Sequence, residues 1–141
     1  MKKTYSSKVS YGLLAILFVV FFAPIVINLS SDGLNTKMGI IAFLVVLLFA
    51  FIVHMFFKTE HTIDNKKLKI KSGFFSYKPI DIMEIKQIKK SSNIISAPAA
   101  SFDRIEIRYG KFDEVIISPK EKYAFAAHLK KINPNISLKL K

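Results

Sequence analysis

Met38–Lys71 reads MGIIAFLVVLLFAFIVHMFFKTEHTIDNKKLKIK, and within this stretch the chain changes its period. The first 20 residues, Met38–Phe57, carry no charge apart from any proton on His54. At about 1.5 Å per residue such a helix is about 30 Å long, the thickness of a bilayer's hydrocarbon core. From Thr59 the period becomes two. Leu68 and Ile70 fall on one face of Lys67–Lys71, and Lys67, Lys69 and Lys71 on the other. That alternation marks a strand with one buried and one solvated face. An apolar helix that runs directly into a half-solvated sheet points to an α+β membrane protein.

Towards the N-terminus, Gly12–Leu29 (GLLAILFVVFFAPIVINL) is a second uncharged run, of 18 residues, with Pro24 inside it. Membrane helices tolerate an internal proline. Neither run shows the polar stripe of a soluble core helix. Lys2, Lys3 and Lys8 precede the first run, as they would in a cleavable leader. The run is long for a leader and no small-x-small site follows it, so the span is expected to stay. The connection Ser30–Lys37 is short and sets Asp32 against Lys37. Basic flanks stay in the cytoplasm. We therefore expect residues 1–58 to form a two-helix transmembrane hairpin, with spans at about 12–29 and 38–57 and a short external loop. Residues 59–141 follow as a cytoplasmic domain, with both termini on the inner side of the cytoplasmic membrane. His54, near the inner end of the second span, reads as a neutral interfacial imidazole, because the first span offers it no charged partner.

Composition agrees with that division. The 141 residues are 51% hydrophobic, with a mean hydropathy of +0.32, although 22 of them are Lys or Arg. Residues 1–57 contain four basic residues and one acidic residue; residues 58–141 contain 18 and 9. There is no cysteine, which excludes disulfides, thiolate zinc sites and cysteine nucleophiles.

Six strands are expected in the second part: Thr59–Asp64, Lys67–Lys71, Phe74–Ile80, Glu84–Lys90, Phe102–Tyr109 and Asp113–Ile117. Turns fall at Asn65-Lys66 and Gly110-Lys111, and Ser91–Ala100 forms a loop containing Pro98. In Phe102–Tyr109 the alternation places Ile105, Ile107 and Tyr109 inward and Arg104, Glu106 and Arg108 outward. A helix then starts with Ser118 as N-cap, Pro119 in the first helical position and Glu121 completing a capping box. Phe125, Leu129 and Ile132 form its apolar stripe, and Asn133-Pro134 stops it.

The segments TIDNKKLKIKSGFF and PIDIMEIKQI, and above all SAPAASFDRIEIRYGKFDEVIISPKEK, resemble the bacterial PH-like domain of the YyaB-like family. Members are small proteins with two membrane spans followed by such a domain. The resemblance implies a PH-like antiparallel β split barrel with the C-terminal helix plugging one end. The full fold has seven strands against the six read here, and the seventh is expected near Ile80–Met83 or Asn93–Ser96. The resemblance carries over no catalytic residue and no cofactor.

The residues themselves offer no constellation for catalysis. His54, His61 and His128 are scattered singly, no nucleophile motif or metal-ligand spacing is present, and the five glycines build no phosphate loop. Asp103, Glu106, Asp113 and Glu114 cluster in one hairpin, where Arg104, Arg108 and Lys111 make cross-strand ion pairs the better account. No enzyme is expected.

Two groups remain as candidate sites. Lys67, Lys69 and Lys71, with Lys66 and Lys78, form a basic field that would contact anionic lipid; the plain alternative is a solvated strand face. Asp103, Arg104, Arg108 and Tyr109 mark a partner-binding or structural spot, and on the structural side Asp103–Arg104 would fix the loop Ser91–Ser101 against the sheet. Phe74 and Phe75 sit at a hairpin corner and are expected to fill the barrel mouth rather than dip into lipid. The function expected is a membrane-anchored interaction module that binds a protein partner or anionic lipid at the inner leaflet. The alternative is a small membrane protein that protects against a membrane-active peptide through its spans. Nucleic acid is not expected as a partner despite the basic charge, because the strand faces lack stacking aromatics.

Overall fold

A computed structural model describes residues 2–93 and 101–141. In chain order the elements are β1 (Lys2–Ser6), α1 (Tyr11–Asp32), α2 (Thr36–Phe57), β2 (Thr59–Asp64), β3 (Lys67–Ser72), β4 (Phe75–Ser76) and β5 (Ile80–Asp81). A single 3-10 turn (Ile82–Glu84) leads to β6 (Ile85–Ser91), β7 (Arg104–Tyr109), β8 (Asp113–Ile117), α3 (Lys122–Ile132) and β9 (Ser137–Lys139).

Both apolar runs are helical, and each begins on a side-chain cap. Ser10 accepts from the Leu13 N–H at 3.3 Å, and Asn35 accepts from the Met38 N–H at 2.9 Å. Gly33 makes the tight link between them with φ +72°. The two helices touch through Phe18 and Phe22, both packed on Phe49 with ring centroids 5.7 and 5.5 Å away. No residue of either helix is buried, and each is long and apolar enough to cross a membrane.

Two sheets enclose the core. One has the order β1-β2-β3-β4, with β5 also paired to β3; the other runs β8-β7-β6-β9, with β9 parallel to β6. Ile63, Leu68, Ile70, Ile88, Ile105, Ile107 and Ile117 meet inside, and α3 closes the space with Phe125, Ala126 and Leu129. Ile132 packs half-buried at the edge of this core, so the expected helical stripe does face the sheets.

Several local expectations are corrected. Of the two positions offered for a seventh strand, Ile80–Met83 does hold one, β5, paired with β3 before the 3-10 turn, and a further strand that was not expected, β1, lies on the far side of the helices in sequence. β1 pairs with β2 from Lys2 opposite Asp64 to Ser6 opposite Glu60. Antiparallel α1 and α2 bring the two strands together, so the helical hairpin is inserted between neighbouring strands of one sheet. Ser118 is not the N-cap of α3. Its carbonyl accepts from Lys8 N–H at 2.7 Å, its hydroxyl lies 3.1 Å from that of Ser7, and Lys120 N–H donates to Ser6 at 2.9 Å. These bonds join β1 to the end of β8 and close the barrel, which postpones the helix to Lys122. The single strand expected at Phe74–Ile80 is broken into β4 and β5, around Pro79. Of the other position offered for a seventh strand, residues 94–96 lie outside the described residues, as does most of the expected loop with Pro98. β9, beyond Asn133-Pro134, was not foreseen.

Candidate functional site

The barrel has two poles, defined by its attachment to the helices. Ser6 and Thr59 lie next to α1 and α2. Through Ser7 and Lys8 the same end gathers Ser118, Asp103 and Lys122. At the opposite end of these strands the Lys66 carbonyl accepts from Ile82 N–H at 2.8 Å and the Glu84 carbonyl from Gly110 N–H at 3.1 Å. We call these the helix-proximal and helix-distal poles.

The lysine field expected to act together is spread along this axis. Lys67, Lys69 and Lys71 do share the exposed face of β3, because Leu68 and Ile70 are buried on the other. Lys71, opposite Glu60, is at the proximal end. Lys67, opposite Asp64, is about 13 Å further along the strand. Lys66 is at the distal turn, and Lys78 precedes β5, whose Ile80 pairs with Leu68. Lys69 is held by Asp64 at 2.9 Å, and this hydrogen bond, with the charge behind it, holds the Asp64 carboxyl below its usual range. Alternation fixes which face these residues occupy but not their height above the helices.

The second group also separates. Asp103 sits at the proximal pole between Lys122 at 2.5 Å and Lys8 at 3.1 Å, and the hydrogen bond from Lys122 leads in keeping its carboxyl low. Arg104 is 4% exposed, contrary to its expected outward position. Its Nε donates to the Ser101 carbonyl and its Nη1 to the Asn93 carbonyl at 2.8 Å, so it ties together the two ends of the segment between β6 and β7. Asp103 is directed instead to Lys8, just past β1, and to Lys122 of α3. Glu106, also expected outward, is buried. Burial pushes its carboxyl up, and hydrogen bonds from Lys89 and Arg108 outweigh that and leave it below the ordinary value.

Arg108 and Tyr109 belong to the distal pole, about 13–17 Å along β7 from Arg104. Arg108 is exposed and reaches Glu106 at 2.6 Å and Glu114 at 3.8 Å. Burial, and then the nearby Asp113, raise the Tyr109 phenol. They border a groove of about 500 Å³ with Lys86, Gln87, Gly110, Lys111, Phe112, Asp113, Glu114 and Ser137. A register shift between Ile85 and Gln87 leaves Lys86 without a partner on β7 and opens this side. Gly110 turns the hairpin with φ +58°, and a Cβ there would lie 3.0 Å from Asp113 Oδ2. Phe112, at the tip, is 93% exposed. Phe112 was not singled out from the sequence. The signal available was a phenylalanine at a hairpin turn, out of phase with the inward residues of both strands.

Phe74 and Phe75 do not fill the barrel mouth. Both are exposed, and Phe74 lies on α2 instead. A buried cluster at the interface of β1, β2 and α3 was also missed. Tyr5 hydroxyl lies 3.1 Å from His128 Nδ1, and its ring meets Phe125 edge-on at 5.3 Å. His61, opposite Tyr5 and Ile70, is fully buried with neither ring nitrogen hydrogen-bonded. Among the described residues no three His, Asp or Glu side chains come together as a metal site.

The family profile described as Bacterial PH domain matches residues 59–133. The chain belongs to the bacterial PH domain family. The match begins at β2 and ends at the residue that caps α3, so β1, with Ser7 and Lys8 of the proximal pole and Ser137 of the distal groove, lies outside it. No curated protein and no solved structure matches the chain. PH domains of this kind serve in general as interaction modules.

Proposed function

We propose that this PH domain protein is a membrane-anchored interaction module, without a catalytic role, that presents its helix-distal pole to a protein partner. In this reading α1 and α2 cross the inner membrane with both termini cytoplasmic and hold residues 59–141 at the inner leaflet. The observation that carries it is Phe112, 93% exposed beside the groove of Arg108, Tyr109 and Lys111. A solvated phenylalanine at a hairpin tip contributes nothing to the core, whereas a cluster of aromatic and Arg side chains around a groove has the composition of an interface hot spot. Lys86, Lys111, Asp113 and Glu114 line the same groove, and their charges would orient the segment that binds. The anchor concentrates the domain at the leaflet, which raises effective affinity without adding a contact. Of the five lysines considered for lipid contact only Lys71 lies at the proximal end, so the row as a whole is too spread out to form one leaflet-facing patch.

The test is site-specific photo-crosslinking of the full chain in intact cells. A photoreactive phenylalanine analogue is placed at Phe112 and, as a control, at the exposed Tyr123 of α3. A discrete protein adduct from position 112, absent from position 123 and lost with Lys111→Glu, supports the reading. Equal labelling at both positions, or no protein adduct at position 112, refutes it.

A further inference from the structure

The corner between β3 and β4 folds back along α2. Gly73 donates its N–H to the Lys58 carbonyl at 3.0 Å and takes φ +57°. A Cβ at this position would come within 3.0 Å of Met55 Cγ and 3.3 Å of Met55 Cα. Without a side chain here, the next residue reaches the flank of the helix. The Phe74 ring stacks on His54 at 4.8 Å and lies nearly parallel to Phe51 at 6.4 Å. Those residues precede Lys58 by four and seven positions, so the contact extends about 6–10 Å back along α2. Even so, Phe74 remains 74% exposed. A ring that leaves the sheet, lies along an apolar helix and keeps most of its surface uncovered is placed to meet acyl chains.

A groove of about 330 Å³ adjoins this ring, lined by His54, Lys58, Glu60, Lys71, Gly73 and Phe74. Two other lysines of the proximal pole, Lys8 and Lys122, share Asp103. Lys58 and Lys71 have no carboxylate within ion-pair distance among the described residues. Glu60 lines the same groove opposite Lys71, so two ammonium groups stand against one carboxylate. The cations lie at the end of the apolar helix and the aromatic bed lies along it, which is the order of headgroup and tail in one lipid molecule.

We propose that this groove holds an anionic phospholipid of the leaflet that meets the PH domain, with the phosphate between Lys58 and Lys71 and an acyl chain along Phe74 and Phe51. The site rests on α1 and α2 being membrane spans and is independent of a partner at the opposite pole. It makes the β3–β4 corner a third membrane contact, beside the two helices.

The chain contains no tryptophan, so a single reporter is unambiguous. Full-length Phe74→Trp is reconstituted into vesicles of phosphatidylcholine and phosphatidylglycerol, with one or the other lipid brominated. A second reporter, Leu47→Trp, sits on the exposed middle of α2. One net cation predicts that brominated phosphatidylglycerol quenches position 74 with a relative association constant of about fivefold over brominated phosphatidylcholine. That preference should fall to about unity at high salt and in the Lys58→Gln, Lys71→Gln background. Equal quenching by the two lipids in the unmodified groove overturns the anionic site. Quenching at position 47 without quenching at position 74 overturns the insertion of the corner. Loss of quenching at both positions overturns the spans, and with them this site. If added inorganic phosphate or glycerol phosphate abolishes the preference at constant ionic strength, the groove recognises a soluble anion and the lipid assignment falls.

Discussion

His61 should make the PH domain acid-labile in a pH window set by one buried imidazole. The ring lies between Tyr5 on β1 and Ile70 on β3 and meets Phe125 of α3 at 6.0 Å. Both of its nitrogens lack a hydrogen-bond partner. The other titratable groups facing this space are the Tyr5 hydroxyl, which engages His128, and Lys3, whose ammonium lies over the Tyr5 ring at 4.9 Å. None is an anion that could stabilise an imidazolium. Burial lowers the His61 pKa from 6.5 to about 4. The folded state therefore refuses a proton that the unfolded chain accepts. The stability that comes with neutral His61 is full above about pH 6.5 and is lost as pH falls towards about 4, at about 1.4 kcal/mol per pH unit, so the total loss is about 3 kcal/mol.

His61→Leu removes that slope. It also removes two unpartnered polar atoms, so it should stabilise the domain by about 1–3 kcal/mol at neutral pH if the leucine packs without strain. The assay is urea unfolding of the sheet domain in the full chain, held in mild detergent and followed by near-ultraviolet circular dichroism between pH 7.5 and 4.5. Burial also lowers the His128 pKa. That residue remains in both proteins, so the difference between the two curves isolates His61. The parent should lose stability towards acid while the variant changes about 2 kcal/mol less. Parallel curves would show that His61 gains a partner or is not buried in solution, and would refute the reasoning.

Three further outcomes follow from packing and charge. Asn133, 2% exposed, donates its side-chain amide to the carbonyls of Ile82, Met83 and Ile85 at 2.9, 3.3 and 3.2 Å; Asn133→Ala should cost about 2–3 kcal/mol in denaturant unfolding, because buried acceptors lose their donor. Gly73→Ala should cost about 1–3 kcal/mol from its left-handed backbone and its contact with Met55, and a double-mutant cycle with Met55→Ala should recover part of the loss; full additivity would show that the corner does not pack on α2. Asp103→Asn releases Lys8 and Lys122 and should cost about 1 kcal/mol at neutral pH. Because those lysines keep the Asp103 carboxyl below its usual 3.8, its contribution is complete above that value and is lost on further acidification, so the two unfolding curves should converge in strong acid.

How much of this could be read in the sequence depends on how local each signal is. The apolar helices were legible because a run of about 20 uncharged residues has few soluble explanations. The strands at Thr59–Asp64, Lys67–Ser72 and Asp113–Ile117 were legible because alternation is a property of neighbouring residues. Arg104 and Glu106 were misplaced because alternation assigns a face and not an exposure. Arg104 is taken up by the carbonyls of Asn93 and Ser101, and Glu106 by Lys89 and Arg108, which the pattern cannot see. Ser118 was misread for a related reason. Ser-Pro-Lys-Glu is a sound helix start, yet the Ser118 carbonyl is taken by Lys8, more than a hundred positions away in sequence.

The same reasoning explains why β1 was hidden and why it matters to the site. The sequence KKTYS has a single large apolar residue, Tyr5, so neither period stands out above noise. What makes it a strand is its register on β2, from Lys2 opposite Asp64 to Ser6 opposite Glu60, and that register exists only once the helical hairpin has formed. β1 then supplies Tyr5 to the space around His61, and the residues after it supply Ser7 and Lys8 to the seam with β8. The short connections at Ser7–Ser10 and Lys58 join two adjacent strands to the two helices. A barrel attached through a pair of hydrogen-bonded neighbours has far less freedom to swivel than one hung from a single linker. Its proximal pole is therefore held against the ends of the helices, which brings Phe74 alongside α2 and directs Phe112 away from it. A candidate lipid site at one pole and a candidate partner groove at the other thus follow from one topological fact, the insertion of the helical hairpin between β1 and β2.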